Sequence, residues 1–526
     1  MQIVRIGDGA QHKHSAEIVG AKAANLAHMA ALGLPVPPAF VLPIELCAAI
    51  VAGEAQARKH VGEGLREGIA FLEQATGRRF GDRRRPLLVS VRSGAARSMP
   101  GMLDTVLDVG CTTAAVHGLV RMSGNPRFAW DCRRRFLESY ATVVLDLDKA
   151  LLAGPLAQIA AGEGGVNETA LDGEAMERVA RAQQQTIEDE GEFVTEDAFA
   201  QLETAAHAVY RSWMSERART YRRLERLDDL KGTAVTVQAM VFGNGAANSG
   251  AGVAFSRDPS TGGAQPVIEV LFGAQGEDVV SGNRMPNTDA AIARTLPAVA
   301  QQLHAALNLL EREFADVQDV EFTIENGKLC LLQTRAAKRT PLAALRFAVD
   351  FVREGSITPA QALHRLDGVD FNRLARQTLA DVGEPVAQGT GASAGVAVGR
   401  AAFDSQSAQR MAEAGEPVIL MRRDTSTADV AGFAVAAGIV TAIGGRTAHA
   451  ALVARQMDRP CVVGCDTLDI DLAARRARLA GQSIEEGDWL SIDGEAGAVY
   501  RGRGTIKVER LEAELAEIES WRRAVA

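Results

Sequence analysis

The stretch GGRTAHAALVAR, Gly444 to Arg455, places one histidine behind a glycine pair and among small alanines. Thr447 is a candidate helix N-cap, which would put His449 in the first turn of a helix. A helix N-terminus favours a neighbouring anion by about 0.3–1 kcal/mol and disfavours imidazolium, so a ring nitrogen there remains able to attack. The small alanines leave room for a bulky donor. These features would suit His449 as a nucleophile that accepts a phosphoryl group, and a histidine that only packs or caps locally is the alternative.

Two carboxylates in the stretch DVEF, Asp319 and Glu321, are separated by one residue. On a strand this spacing puts both on one face, which suits Mg²⁺, a cation bound through one or two carboxylates. Gln333 and Arg335 in LQTR have the same spacing on the second strand of a hairpin predicted from Asn-Gly. Paired strands would bring the acids close to these side chains. The alternative is a sheet face that contacts only water.

A glycine- and serine-containing loop, RSGAARSMPGM, follows the predicted strand PLLVSVRSGA. Its glycines would let backbone N–H groups approach phosphates, and Arg92 and Lys22 would add positive charge. The spacing is not that of a Walker loop, so a simple turn is the alternative. Together with the carboxylate pair, the loop indicates a site for a nucleoside triphosphate and Mg²⁺.

The order of predicted elements indicates an α/β and α+β protein of several domains, as expected for 526 residues. Strands dominate residues 1–340 apart from a helical insertion at about 112–230. Residues 341–387 are predicted as a helical connector, and residues 503–526 as a C-terminal linker helix. Between them, residues 388–502 alternate strands such as PVILMRR and DWLSIDG with predicted helices at TADVAGFAVAA, TAHAALVARQM and DLAARRARLA.

Composition excludes some partners and settings. The formal charge is −9 and no long Lys/Arg block occurs, so a nucleic-acid partner is not expected. We find no signal peptide and no apolar run of about 18 residues, so we expect no membrane segment. Six scattered cysteines predict reduced thiols and a cytoplasmic protein, with Cys461 as a core residue rather than a catalytic one.

Seven stretches in one order resemble the pyruvate, phosphate dikinase family along essentially the whole chain: GAKAANL, SVRSGAARSMPGMLDTVLDVG, FAWDCRRRFLESY, VQAMVFGNGAANSGAGVAFSRDPSTG, AQGEDVVSG, QDVEFTIENGKLCLLQTR and GGRTAHAALVARQMDRPCVVG. The resemblance implies an ATP-grasp nucleotide-binding region at 1–340 and a swivelling phosphohistidine domain at 388–502. It further implies that ATP phosphorylates the histidine and inorganic phosphate, giving AMP and pyrophosphate. The phosphohistidine would then phosphorylate pyruvate at a separate barrel domain.

The resemblance also assigns roles to individual residues. His449 is implied to be the phosphohistidine nucleophile, and Asp319 and Glu321 the Mg²⁺ ligands. The residues implied to contact the nucleotide or its phosphates, or to border the nucleotide cleft, are Lys22, Arg92, Gly101, Arg135, Gln238, Met240, Val241, Glu277, Gln333 and Arg335. Arg446 stands where relatives commonly have an apolar residue, and it could contact phosphate or reflect a different acceptor. Thr447 corresponds to a threonine that is open to regulatory phosphorylation in some relatives. A role as the helix N-cap is the alternative.

Three functions remain open from the sequence. The chain ends at Ala526, whereas the resemblance places the pyruvate-binding barrel beyond this point, and a barrel needs about 250 residues. We therefore expect an enzyme that carries out only the ATP half-reaction and delivers phosphate to a separate barrel protein. A phosphotransferase with a different acceptor, and a non-catalytic nucleotide-binding regulatory subunit, are the alternatives.

Overall fold

A computed structural model describes residues 3–9, 14–97, 99, 102–165, 168–281, 284, 286–369, 375–425, 429–446 and 448–525. The chain divides into two compact units, Met1–Ala247 with Cys330–Thr334, and Asn248–Leu329 with Arg335–Ala526. The boundary predicted at residue 340 does not coincide with this division, because residues 1–340 contribute to two separate sheets. Across the described ranges, the helices are too short or too polar to cross a membrane.

The first unit contains the following helices: α1 Ala16–Val19, α2 Ala21–Ala31, α3 Leu46–Val51, α4 Ala55–Thr76, α5 Thr113–Ser123, α6 Pro126–Val143, α7 Lys149–Gly162, α8 Gly173–Asp189, α9 Ala198–Arg211 and α10 Glu216–Leu224. Its strands are β1 Val4–Ile6, β2 Ala39–Leu42, β3 Arg79–Phe80, β4 Pro86–Leu87, β5 Val89–Ala95, β6 Thr105–Val109 and β7 Thr233–Ala239. Single 3₁₀ turns lie at Glu168–Ala170 and Ser212–Met214.

An antiparallel sheet of order β1-β2-β7-β5-β6 forms the centre of this unit. The β5 and β7 strands pair along their whole length, and β7 is buried at every position. A strand that is buried on both faces has a nearly continuous series of β-branched and apolar residues, as β7 has in TAVTVQA. Helices α5 to α10 occupy the segment predicted as the helical insertion.

Helix α6 is largely buried within the helical insertion, and it carries Arg135, one of the residues predicted to bind the nucleotide. Asn125 caps its N-terminus by accepting from the N–H of Phe128, and Pro126 occupies the first turn, where its missing N–H costs nothing. The helix packs against α8 and against strand β6. Its buried face includes three consecutive arginines, Arg133 to Arg135, which therefore require partners inside the protein.

The second unit contains the following helices: α11 Gly276–Ser281, α12 Asp289–Thr295, α13 Pro297–Phe314, α14 Pro341–Arg353, α15 Pro359–Arg365, α16 Ser405–Glu413, α17 Val430–Val435, α18 His449–Gln456 and α19 Glu512–Val525. Its strands are β8 Gly250–Phe255, β9 Val267–Phe272, β10 Asn287–Thr288, β11 Gln318–Glu325, β12 Lys328–Ala336, β13 Ala375–Ala380, β14 Ala387–Gln388, β15 Thr390–Ser393, β16 Val396–Ala402, β17 Val418–Arg422, β18 Gly438–Thr441, β19 Cys461–Val463, β20 Leu468–Asp471, β21 Arg476–Leu479, β22 Gln482–Glu485, β23 Trp489–Asp493, β24 Ala498–Arg501 and β25 Thr505–Arg510. The middle of β12, Cys330–Thr334, is grouped with the first unit.

A five-stranded sheet of order β10-β9-β8-β11-β12 carries the predicted hairpin. The hairpin is confirmed: β11 and β12 are neighbours joined by Asn326 and Gly327, with φ of 51° and 73°. Two consecutive positive φ angles match the type I′ turn that Asn-Gly favours. The sheet therefore presents Asp319 and Glu321 from one of its inner strands.

An eight-stranded sheet of order β14-β24-β23-β16-β17-β18-β19-β15 forms the C-terminal part of the second unit. Strands β16 to β19 are parallel neighbours, and α16, α17 and α18 connect them in turn. Parallel strands need such crossover helices. Helix α18 consequently begins beyond the carboxyl end of β18, at the edge of the sheet where α/β proteins usually place functional groups.

The helix predicted at DLAARRARLA is wrong. This segment contributes to β20 and β21, which form a small antiparallel sheet with β22. Ala477, Leu479 and Ile484 are buried in it, and Arg475 and Ala480 adopt the positive φ of turns. Helix propensity of alanine, arginine and leucine is a weak preference that packing of alternate residues has overridden here.

The predicted helical connector and linker helix are each only partly helical. Helices α14 and α15 end at Arg365, and β13 then pairs antiparallel with β25, which precedes α19. The partner strand lies about 130 residues away in the chain, so a local pattern does not reveal it. Helix α19 packs back on α14 and α15 through Ile518 and Trp521, and Leu511, just before the helix, joins the same core.

Candidate active site

Four residues predicted to contact a nucleotide line one cleft of the first unit. Lys22 comes from α2, Arg92 from β5, Gln238 from β7 and Gln333 from β12. The other lining residues are Ala23, Leu26, Ser93, Thr236 and Leu332. The cleft combines two cations and two amides with apolar side chains, which is the mixture that a nucleotide requires.

Lys22 is placed beside the Arg92 strand by a close approach of two glycines. Gly20, at the N-cap of α2, has a φ of 82°, and a Cβ on it would lie 2.1 Å from the carbonyl oxygen of Gly94. Only glycine satisfies both the backbone conformation and the contact. The glycine that precedes AKAANL thus sets the distance between α2 and β5.

Hydrogen bonds orient the amides of the cleft. Arg92 Nη2 donates to Gln333 Oε1 at 3.5 Å, and Gln238 Nε2 donates to the carbonyl oxygen of Pro37 at 3.2 Å. The buried Thr236 Oγ1 has no hydrogen-bond partner within the described part of the chain. Sequence reasoning missed Thr236, although its spacing of two from Gln238 on one strand places both on the same face.

The remaining residues that were predicted near the nucleotide in the first unit are not in this lining. Met240 and Val241 follow β7 and are half-buried. The backbone N–H of Met240 donates to the carbonyl oxygen of Leu88 at 2.9 Å, so this bond extends the pairing between β5 and β7 by one residue on each strand. Gly101 lies outside the described residues.

Arg135 is buried in α6 and bound to Asp131. Its Nε donates to Asp131 Oδ2 at 3.0 Å, while Arg134 donates twice to Oδ1. Burial alone would raise the pKa of Asp131, but Arg135 and Arg134 outweigh it and lower this pKa well below the usual range. Arg135 is therefore fixed by an ionised carboxylate, and it is absent from the lining of the cleft described above.

The predicted acid pair lies on one face of β11 in the second unit. Asp319 is 2% exposed and Glu321 is half-buried. Arg335 Nε donates to Asp319 Oδ2 at 2.8 Å, which confirms the predicted pairing across the hairpin. Burial raises the pKa of Asp319, Arg335 opposes this effect, and the nearby Glu321 adds to it.

The acid pair fits a magnesium ion through its donor chemistry. Asp319 Oδ1 is buried and has no hydrogen-bond partner among the described residues, so one oxygen remains available as a ligand. No cluster of three or more His, Cys, Asp and Glu suited to a metal occurs in the described ranges. Mg²⁺ does not need such a cluster, because it retains water and binds through one or two carboxylates.

Glu277 lies in the first turn of α11, where it is exposed. An acidic residue at this position is favoured by the partial positive charge of the helix N-terminus. It belongs to the second unit, as do Asp319 and Glu321.

His449 is the first residue of α18, as the sequence predicted for the first helical turn. The N-cap is Ala448, not Thr447, and it makes no side-chain cap; Thr447 itself lies outside the described residues. Capping was therefore assigned one residue too early. The ring is half-buried and its Nε2 is shielded from solvent in this arrangement.

Arg446 is held by two acids of the preceding part of the second unit. Its backbone N–H donates to Glu269 Oε1 on β9, and its Nη1 lies 3.3 Å from Asp258 Oδ2. Gly445 permits this approach, since a Cβ there would lie 2.7 Å from Glu269 Oε1. The loop before His449 is thus fixed by Glu269 and Asp258, two residues that the sequence reasoning did not single out.

Arg455, at the C-terminal end of the same motif, is 1% exposed. Its Nη1 donates to the carbonyl oxygen of Ala392 at 2.9 Å, and its guanidinium lies 5.5 Å from the ring centroid of Phe255. Burial lowers the pKa of Arg455, and Asp319 opposes this effect. The motif therefore places a buried cation near the acid pair, a role that the quoted pattern alone did not reveal.

Two family models match separate stretches of the chain. The family described as pyruvate phosphate dikinase, AMP/ATP-binding domain, matches residues 54–304. The family described as PEP-utilising enzyme, mobile domain, matches residues 414–497, which include α18. A chain with both domains is of the class of ATP-dependent phosphotransferases related to pyruvate, phosphate dikinase.

Individual relatives cover nearly the whole chain. Pyruvate, phosphate dikinase of Clostridium symbiosum is 40% identical over 491 residues, 92% of this chain and 56% of that protein. The Rhizobium meliloti protein of the same name is 40% identical over 96% of this chain and 58% of its own length. Pyruvate, phosphate dikinase 2 of Zea mays is 39% identical over 98% of this chain and 59% of its own length. The chain therefore carries an AMP/ATP-binding domain and a mobile domain of the pyruvate, phosphate dikinase family.

The chain spans a little more than half the length of these curated relatives. An NMR structure of Enzyme I matches 20% of the chain at 26% identity, with a TM-score of 0.12, which supports no structural argument.

Proposed function

We propose that the chain carries out the ATP-dependent half-reaction of a pyruvate, phosphate dikinase. ATP phosphorylates His449 and inorganic phosphate, giving AMP and pyrophosphate. Of the four phosphorus atoms in ATP and phosphate, three leave in AMP and pyrophosphate and one remains on His449. We assign residues 1–340 to an ATP-grasp region and 388–502 to a swivelling phosphohistidine domain. The observation that carries the proposal is the convergence of Lys22, Arg92, Gln238 and Gln333 in one cleft.

The cleft residues divide the work of binding ATP. Lys22 and Arg92 neutralise phosphate charge, and Arg92 can do so with two parallel hydrogen bonds. Gln333 accepts from Arg92 and thereby holds the guanidinium plane in position. The buried Oγ1 of Thr236 offers a further hydrogen bond to the nucleotide, since it has no partner within the described ranges.

Asp319 and Glu321 are the residues that would hold Mg²⁺. The ion would neutralise charge that develops on the phosphates during transfer. Arg335 holds Asp319 through Oδ2 and thus leaves Oδ1 toward the ligand. The buried carboxylate is kept in one orientation before any ligand binds.

His449 acts as the nucleophile: a ring nitrogen forms the N–P bond as the P–O bond to the departing nucleotide fragment breaks. Because Nε2 is shielded in the present arrangement, the helix must leave this position for that atom to reach a donor or an acceptor. The β13–β25 ribbon supplies the chain connections about which residues 388–502 can swivel. The contacts of Arg446 with Asp258 and Glu269 are polar and few, so they are reversible.

The experiment is to incubate the purified chain with Mg-ATP and phosphate and to measure protein-bound phosphoryl groups. We expect an acid-labile, base-stable label on the peptide that contains His449, with AMP and pyrophosphate as products. His449→Ala should abolish the label and retain ATP binding. His364→Ala is the matched control, because this histidine is exposed on α15 and should leave labelling unchanged. Equal labelling of the His449→Ala variant would refute the nucleophile assignment.

The acceptor is proposed to be pyruvate on a separate barrel protein, by analogy with the named activity of the relatives. The test is to add candidate acceptors to the labelled chain, with and without a barrel protein encoded nearby. Loss of label to pyruvate only with the barrel protein present would support this proposal. Transfer to another acceptor would favour the second function, and ATP binding without any labelling would favour a regulatory subunit.

A further inference from the structure

We infer that Asp131 and Asn244 are positioning residues, which join the arginine-bearing helix α6 to the segment that follows cleft strand β7. The inference rests on the proposed function, because it concerns how that nucleotide site is assembled. Neither residue lines the cleft, so each would act through its neighbours.

Asp131 is the centre of a buried ionic cluster. It is 2% exposed, and its Oδ1 accepts from Arg134 Nε at 3.0 Å and from Arg134 Nη2 at 2.8 Å. Its Oδ2 accepts from Arg135 Nε at 3.0 Å and from Asn244 Nδ2 at 2.8 Å. One carboxylate oxygen therefore binds both the helix arginine and the segment after β7.

Asn244 belongs to a short segment, Phe242–Gly245, which is fixed to α6 at three points. The ring of Phe242 makes an edge contact with Phe128, at 5.0 Å between centroids. Asn125 Nδ2 donates to the carbonyl oxygen of Gly245 at 3.2 Å. The bond from Asn244 to Asp131 is the one charge-assisted contact of these three, and such contacts are about twice as strong as neutral ones.

The orientation of the Asn244 side chain points to a specific purpose for this bond. A carboxylate only accepts, so the amide must present Nδ2 to Asp131, and its buried Oδ1 has no partner within the described part of the chain. An unpaired buried oxygen is unfavourable, so a residue with only a structural role would be replaceable by an apolar one. The Asn244 side chain therefore has the orientation in which its Nδ2 donates to Asp131.

The consequence concerns the distance between two parts of the site. Gln238 lines the cleft six residues before Asn244, whereas Arg135 lies one helical turn after Asp131. A guanidinium held through Nε keeps its terminal nitrogens in a defined direction. Asp131 thereby fixes Arg135 relative to the strand end that carries Gln238.

The test compares three variants by thermal unfolding, ATP titration and the initial rate of His449 labelling. Asn244→Ala releases only the segment, so we expect a higher ATP concentration at half-maximal rate and a nearly unchanged maximal rate. Asp131→Asn also frees Arg135, so we expect the maximal rate to fall on the order of ten- to a hundredfold. Arg127→Met is the matched control on the same helix: it breaks bonds to the carbonyl oxygens of Leu171 and Glu168 and should lower only the unfolding temperature.

The outcomes separate this inference from the proposed function. If the parent chain neither binds ATP nor becomes labelled, the proposed function fails and the inference fails with it. If the parent is active and Asn244→Ala differs from it only in unfolding temperature, as Arg127→Met does, the positioning role is refuted alone. Should Asn244→Ala fold poorly, Asn244→Ser is titrated in its place. A folded Asn244→Ser that needs the parent's ATP concentration refutes the inference, and one that needs more supports it.

Discussion

Arg446 Nη1 lies 3.3 Å from Asp258 Oδ2, across 188 residues of sequence, and the candidate nucleophile His449 follows Arg446 three positions later. The same arginine donates its backbone N–H to Glu269. Both acids belong to the part of the second unit that carries the five-stranded sheet. A phosphate contact was one of two roles left open for Arg446 by the sequence, and in this arrangement its guanidinium is engaged by a carboxylate. A phosphate contact would require this ion pair to open.

Arg446→Met is expected to make His449 more accessible. The variant removes the ion pair with Asp258 and keeps the backbone bond to Glu269, so the loss of stability should stay below about 1 kcal/mol, as for partly exposed pairs. The rate at which diethyl pyrocarbonate modifies His449, followed by peptide mass spectrometry, should rise. High salt should give the parent a similar increase.

Two control variants test whether that effect is specific. Arg400→Met breaks an exposed ion pair between Arg400 on β16 and Glu416. It should not change the rate at which diethyl pyrocarbonate modifies His449. Gly445→Ala would place a Cβ 2.7 Å from Glu269 Oε1 and should raise the rate further. An unchanged rate in both Arg446→Met and Gly445→Ala would show that these contacts do not hold the loop.

Arg92→Met is expected to weaken ATP binding strongly. The variant removes a guanidinium that can donate two parallel hydrogen bonds to a phosphate group. A charge-assisted hydrogen bond of this kind contributes about 1.5–3 kcal/mol, so Kd should rise roughly 10- to 100-fold. Isothermal titration with ATP measures the change. Arg5→Met, which breaks an exposed pair with Glu67 in the same unit, should bind as the parent does. Equal Kd values for the parent, Arg92→Met and Arg5→Met would show that Arg92 does not contribute to ATP binding.

Much of the cleft could be predicted from the sequence, because its residues lie on strands and one helix whose patterns are local. The placement of Gln333 on a hairpin strand followed from Asn-Gly, whereas the role of Lys22 in the cleft followed from the family resemblance. Glu269 and Asp258 could not be predicted, since their contacts with Arg446 depend on the packing of two sheets. The small sheet at DLAARRARLA was mistaken for a helix for a different reason: its strands pair with adjacent segments, but its alanines, arginines and leucines are strong helix formers.

Asp319→Asn is expected to stabilise the protein at neutral pH and to abolish magnesium-dependent labelling. Burial raises the pKa of Asp319 in the folded chain, whereas the unfolded chain has the ordinary value of about 3.9. A raised pKa gives stability that is complete below the unfolded value and is lost as pH rises through the folded value. The free energy of unfolding of the variant should therefore exceed that of the parent at pH 7–8, and the difference should vanish near pH 4.

Urea unfolding of the parent and of Asp319→Asn between pH 4 and 8 measures this difference. Glu325→Gln, six residues further along the same face of β11, serves as the control and should retain labelling. A variant that is less stable than the parent at pH 8 would contradict the sign derived for Asp319.

Cys461 and Cys465 are expected to be inert toward alkylation in the folded protein. Burial raises the pKa of both thiols to about 12, so only about one in 10⁴ is ionised at pH 8, and the thiolate is the reactive form. Iodoacetamide labelling with peptide mapping should modify half-exposed Cys330 first, and Cys461 and Cys465 only after unfolding. Early modification of Cys461 would contradict its assignment as a core residue.

Arg455→Met should leave the unfolding temperature unchanged or raise it, whereas Arg257→Met should lower it. Both arginines are buried, but Arg257 binds Glu311 and Glu354, while Nε and Nη2 of Arg455 have no partner in the described part of the chain. Removing one member of a buried ion pair costs about 3–5 kcal/mol, whereas replacing an uncompensated buried charge by an apolar side chain is often neutral or stabilising. Differential scanning calorimetry of the two variants measures the contrast. If Arg455→Met is destabilised as much as Arg257→Met, the guanidinium of Arg455 is fully compensated in solution, and its burial beside Asp319 stabilises the fold.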